Sequence, residues 1–144
     1  MNPTPAPAAR RPGTFTRLLA IIAGLAAIAG VSAIWAGLTA FLRDPCAWMS
    51  LVTALDAALL LRLAGFPPGR ERAAFGIAIT ALTLLAAGYL YATTAIGMLM
   101  GMLPSESVWL MRPGLAWLYV KGHADWLDAL WVVAGLVLAW KTTR

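Results

Sequence analysis

The sequence predicts an all-α integral membrane protein: a bundle of four transmembrane helices with an interfacial helical segment between helices three and four. Its composition supports this, since 61% of the 144 residues are hydrophobic and only 12% are charged. Soluble domains average about a quarter charged residues. A chain of this length cannot bury so much apolar surface in one water-soluble core. The single cysteine also excludes a disulfide-stapled fold.

Four apolar segments are candidates for spans, because a helix needs roughly 20 mostly apolar residues to cross the hydrocarbon core. The first and third contain no charged residue, whereas the second contains Asp56 and Arg62. The third is longer than a span requires and must tilt, bend or project beyond the membrane. The predicted spans are 18–42, 46–66, 73–103 and 124–141. Together they form a single predicted domain, 17–144, after a Pro/Ala-rich tail at 1–16 that we expect to be disordered.

Helix breakers lie between these segments. Proline favours a first helical turn and interrupts a helix interior. This places breaks at Arg43-Asp44-Pro45, at Pro67-Pro68-Gly69 and at Pro104. Asp125 and Asp128 have the spacing of residues that cap the free amides at the start of a fourth helix.

Residues 105–124 are too polar and too interrupted to form a further span. The apolar part, 108–120, contains Arg112-Pro113-Gly114 at its centre. Two short helical pieces in the membrane interface fit this pattern, with tryptophan and tyrosine at headgroup level. A re-entrant hairpin is the alternative, provided that other helices cover its backbone.

The basic residues predict the orientation in the membrane. Eight of the 11 fall on one side of a four-span topology: Arg10, Arg11, Arg17, Arg62, Arg70, Arg72, Lys141 and Arg144. The positive-inside rule then places the N- and C-termini in the cytoplasm and the protein in the inner (plasma) membrane. A cleavable signal ending near Ala33 is the alternative for the first segment, although the apolar run continues well beyond it. Topology and attraction to lipid headgroups account for the positive charge, so nucleic acid is not expected as a partner.

Small residues predict where helices pack closely. Gly30, Ala33 and Gly37 share a face of the first helix, and Gly97 and Gly101 are one turn apart near the end of the third. Such faces let two helix backbones approach each other. Packing within the chain, contact with a membrane-protein partner and homo-oligomerisation are all consistent with them.

Asp56 is the one intramembrane acid, at the middle of its helix, where a lone carboxylate is costly. Aligning the spans by depth predicts Ser32, Tyr89 and Tyr91 at a similar level. A structural hydrogen bond with one of these hydroxyls is one interpretation. A proton- or cation-binding carboxylate of a small oligomeric transporter or channel is the other.

The sequence contains no recognisable catalytic or cofactor-binding set. Phosphate and nucleotide motifs are missing, and His123 stands alone beside the predicted helix caps. Met98 and Met102, with other soft ligands on the same side, suggest copper handling on the periplasmic face, although methionine also fills irregular apolar gaps. We therefore expect no cofactor, no metal and no enzyme activity. The leading hypothesis is an accessory or assembly subunit that acts through helix contacts, with transport through Asp56 and copper handling as alternatives.

Overall fold

The computed structural model describes residues 12–42 and 44–144, and within these residues every regular element is a helix. The all-α prediction is therefore confirmed. The six helices are α1 (Thr14–Leu42), α2 (Met49–Leu63), α3 (Arg70–Leu99), α4 (Pro104–Leu110), α5 (Pro113–His123) and α6 (Trp126–Thr143). The predicted disordered tail lies mostly outside the described residues, and α1 begins at Thr14, inside its predicted limit.

Two of these helices, α1 and α3, are by themselves long and apolar enough to cross a membrane. α5 and α6 meet that criterion only as a pair, and the pair is bent by 109° at Ala124-Asp125. α2 has 15 residues, or roughly 22 Å at 1.5 Å per residue. The described chain thus contains two candidate spans, or three if the bent pair counts as one.

The breaks between the helices follow the predicted breakers, but two helices are shorter than predicted: α2 covers Met49–Leu63 instead of 46–66, and α3 ends early. α3 stops at Leu99, four residues before the predicted limit. Gly101 has a φ of +71°, and the Met102 amide donates to the Gly97 carbonyl at 2.9 Å. Glycine tolerates this left-handed conformation, which turns the chain out of the helix and satisfies a free carbonyl. At the start of α6, the Asp125 amide donates to the Asp128 carboxylate at 3.0 Å, as the capping pattern predicts.

α1 and α3 run parallel to each other. Near their first residues, the Arg17 guanidinium pairs with the Glu71 carboxylate at 3.2 Å. Further along, the Ser32 hydroxyl donates to the carbonyl of Thr83 at 3.4 Å. From the first contact to the second, the residue numbers increase on both helices. The two helices therefore start at the same end of the bundle.

α2 and α6 run the opposite way. The Ser50 hydroxyl donates to the Trp131 carbonyl at 2.6 Å, and Arg62 reaches the carbonyl of Thr142 at 3.4 Å. Arg72, in the first turn of α3, donates to the carbonyl of Thr143 at 2.7 Å. The last turn of α6 therefore packs beside the first turn of α3, and the four long helices alternate in direction.

This arrangement separates charge between the two ends of the bundle. We call the end that holds the start of α3 and the last turn of α6 the basic end. The basic residues described there are Arg17, Arg62, Arg70, Arg72, Lys141 and Arg144. The opposite end carries α4 and α5, and we call it the capped end. Four of the six acidic residues lie at the capped end: Asp44, Glu106, Asp125 and Asp128.

The two short helices at the capped end match the two helical pieces predicted for 105–124. The Tyr89 hydroxyl is 2.8 Å from the Val108 carbonyl and 3.0 Å from that of Met111, at the break between α4 and α5. Ala116 of α5 is buried against Ala92 of α3. Both helices are thereby held against the last third of α3.

Candidate functional site

Asp56 lies halfway along α2 and is half-buried. Met49, at the start of the same helix, packs in one cluster with Trp35 of α1 and Ala87 of α3. Asp56 is seven residues further toward the basic end, or roughly 10 Å. Ser32 of α1 lies about one helical turn from the level of Asp56.

Tyr89 and Tyr91 lie on the other side of the Ala87 level, more than two helical turns from Asp56. Tyr89 binds the α4–α5 break, and the Tyr91 ring packs edge-on against Tyr119 of α5 with 5.8 Å between centroids. The depth alignment made from the sequence therefore does not hold for the two tyrosines. Both tyrosines lie instead at the part of α3 against which α4 and α5 pack.

The small residues divide into two groups. Four glycines pack closely against another helix of this chain. A Cβ added at Gly24, Gly76, Gly97 or Gly135 would lie within about 3 Å of a neighbouring side chain. Gly97, one of the predicted packing residues, meets Ser107 of α4 in this way. Gly101, the other member of its pair, is a turn residue and not part of a helical packing face.

Gly30 and Gly37 are different. A side chain added at either would meet no atom of the described residues within 4 Å. Ala26 and Ala33 are on the same side of α1 and are exposed, as are the two glycines. We call these four residues, Ala26, Gly30, Ala33 and Gly37, the small face. Their spacing of three and four residues places them along one stripe of the helix.

The soft-ligand residues do not converge. Because α3 ends at Leu99, Met98 and Met102 do not share the helical face on which the copper hypothesis depends. Met49 and Met111 are buried in separate apolar clusters. Within the ranges 12–42 and 44–144, no three His, Cys, Asp or Glu side chains are placed to hold a metal ion together.

Cys46 is buried in the turn between α1 and α2, beside Met49 and Trp35. Its backbone φ is +50°, and its amide donates to the Asp44 carboxylate at 2.9 Å. Burial raises the pKa of the thiol, and the negative charge of Asp44 raises it further. Since the thiolate is the reactive form, this is the environment of an inert structural cysteine.

His123 ends α5 and stacks on the Tyr119 ring, with 4.1 Å between centroids. Its Nδ1 is 2.9 Å from the Tyr119 carbonyl oxygen. A carbonyl only accepts hydrogen bonds, so Nδ1 carries the proton and, in the neutral ring, Nε2 is an acceptor. In the sequence His123 stands alone, but in the structure it lies on the wall of a groove.

The groove opens at the capped end between α3, α5 and α6, and its volume is about 470 Å³. Leu84 and Val133 line its apolar interior, while Tyr91 and His123 lie nearer the capped end. Because α5 is bent 109° away from α6, it crosses the side of the bundle and forms one wall. No sequence pattern indicated this groove, since its walls come from four separate parts of the chain.

A comparison with known proteins finds no matching family model, no matching curated sequence and no matching solved structure.

Proposed function

We propose that the chain is a four-span inner-membrane protein with cytoplasmic termini, and that it serves as a non-catalytic accessory subunit. In this role the small face of α1 binds a transmembrane helix of a different membrane protein. The observation that carries the proposal is a contrast within α1: a Cβ at Gly24 would contact Ile79 of α3 at 3.0 Å, whereas a Cβ at Gly30 or Gly37 would meet no described atom within 4 Å.

The physical reason is the chemistry of helix association in lipid. Apolar side chains gain little by leaving lipid for a protein interface, so close backbone approach at small residues supplies the packing energy. The small face offers such an approach over about three helical turns. Large apolar residues are exposed elsewhere on α1, among them Ile21, Leu25 and Ile34.

The separation of charge supports the proposed topology. All described basic residues except Arg112 and Lys121 lie at the basic end, which is the pattern of a cytoplasmic face. α2 and α6 run alongside α1 and α3 between the same two ends, so in a membrane they share the depth of the two long spans. This alignment supports the proposed arrangement of four spans with an interfacial cap, α4 and α5.

The transport alternative depends on Asp56 alone. The structure brings neither tyrosine to it, and a single half-buried carboxylate supplies no second site along a path. We therefore place the function at the small face.

The test is a pull-down of the tagged protein from its native membranes in mild detergent. We expect wild type to recover one partner protein in stoichiometric amount. Ala33→Leu and Gly37→Leu should each reduce the recovered partner about tenfold, equivalent to about 1.4 kcal/mol of binding free energy. Ala78→Leu is the matched control, because Ala78 is an exposed alanine on α3, and it should recover the partner as wild type does.

Three results would contradict the proposal. One is repeated recovery of the protein without any partner. Another is a partner whose recovery is unchanged by both small-face variants. The third is a complex that contains only further copies of this chain, which would make the small face a self-association surface.

A further inference from the structure

The groove at the capped end has the features of a small-molecule site. Its volume of about 470 Å³ lies within the usual range for ligand pockets. Such pockets combine mostly apolar walls with a few placed polar groups. Here the polar groups gather at one end, which points to a ligand with a polar head and an apolar tail.

The long axis of the groove sets the direction of that ligand. Asp128 is near the start of α6, and Val133 is five residues further along, or about 8 Å deeper in the bundle. On α3, Tyr91 and Leu84 are separated by about 10 Å in the same sense. A head placed at the capped end therefore leaves its tail directed toward the membrane interior.

Hydrogen-bonding capacity restricts the head group. In the neutral ring, His123 Nε2 accepts hydrogen bonds, because Nδ1–H is donated to the Tyr119 carbonyl. The Asp128 carboxylate also only accepts, and one bond to the Asp125 amide leaves it further lone pairs. A head that donates hydrogen bonds would satisfy both of these acceptors.

The charge on the described walls of the groove disfavours a phosphate head. No Lys or Arg is among the described residues that line the groove, and Asp128 would repel an anion. Three aromatic side chains line the groove: Tyr91, Trp117 and Trp35. Flat rings pack well against such walls.

We propose that the groove binds a membrane quinol, the reduced form of a lipid-soluble quinone. The hydroxyl groups of the ring donate to His123 and Asp128, the ring packs against Tyr91 and Trp117, and the alkyl tail follows Leu84 and Val133. This site is separate from the small face and does not depend on the proposed accessory role.

The experiment uses the full chain in detergent and decylubiquinol as the probe. Binding is followed by quenching of tryptophan fluorescence, since Trp35 and Trp117 line the groove. We expect saturable binding by wild type and a dissociation constant about tenfold higher in Val133→Phe, which fills the groove. Val137→Phe is the matched control one turn along the exposed side of α6, and it should bind as wild type does.

A second comparison tests the head group. Decylubiquinone accepts hydrogen bonds but cannot donate them, so wild type should bind it more weakly than the quinol, by about fivefold. His123→Phe keeps an aromatic ring beside Tyr119 and removes the acceptor, and this variant should lose most of that preference.

Four results would overturn the proposal. They are the absence of saturable binding, unchanged affinity in Val133→Phe, equal affinity for quinone and quinol, and displacement of the quinol by an equal concentration of dioleoylphosphatidylglycerol.

Discussion

Gly135 and Gly37 should respond in opposite directions to the same substitution. Gly135 packs against α2, where an added Cβ would lie 2.8 Å from the Ser50 Cβ and 2.9 Å from the Ser50 carbonyl oxygen. At Gly37 the same Cβ would meet no described atom within 4 Å. Gly→Ala at each position therefore separates the cost of a clash from the intrinsic effect of removing a helical glycine.

The magnitudes follow from these two environments. Replacing a helical glycine by alanine gains up to about 1 kcal/mol at both sites. At Gly135 the overpacking costs about 1–3 kcal/mol, because one of the clashing atoms is backbone and α2 must move away from α6. We expect Gly37→Ala to be as stable as wild type or more so, and Gly135→Ala to be less stable than Gly37→Ala by about 1–3 kcal/mol.

Reversible unfolding in detergent, followed by circular dichroism, measures this difference. Ser50→Ala is a useful reference, because it removes the hydrogen bond to the Trp131 carbonyl without a clash. Interhelical hydrogen bonds in membrane proteins average about 0.6 kcal/mol, so its effect should be smaller than that of Gly135→Ala. Equal or greater stability of Gly135→Ala relative to Gly37→Ala would refute the packing of α2 against α6 described above.

Three further predictions concern the polar contacts. Tyr89→Phe should increase amide hydrogen exchange in α4 and α5 and lower stability by about 1 kcal/mol, since it removes the hydrogen bond to their connection; unchanged exchange would argue against that anchor. Burial raises the pKa of Cys46, so the folded state keeps the thiol proton longer than the unfolded state does. Stability should fall as pH rises from the ordinary thiol pKa toward the raised one, and Cys46→Ala should remove that part of the pH dependence. Glu71→Gln should change stability by less than about 1 kcal/mol, because both partners of the Arg17–Glu71 pair are about half exposed; a larger loss in the same unfolding assay would show that the pair is more strongly coupled than its exposure indicates.

The sequence by itself predicted the helical elements and, to within about four residues, the limits of the four long helices. Apolar run length and proline position act within a few residues of chain, so they can be recognised without tertiary contacts. The break between Leu110 and Pro113, which divides 105–124 into two short helices, was predictable for this reason. The end of α3 was not, since the continuous apolar run concealed the left-handed turn at Gly101.

The tertiary structure decided which residues lie together. Gly97 and Gly37 have similar sequence surroundings. A Cβ at Gly97 would clash with Ser107, whereas a Cβ at Gly37 would meet no described atom within 4 Å. The difference arises because α4 packs against α3 at Gly97. Depth counting along separate helices placed Tyr91 near Asp56, whereas in the structure Tyr91 lies beside Tyr119 of α5, more than two helical turns from Asp56. The groove depends on the 109° bend between α5 and α6. A bend of this kind is set by the packing of α5 against α3, which the local sequence at Ala124-Asp125 does not encode.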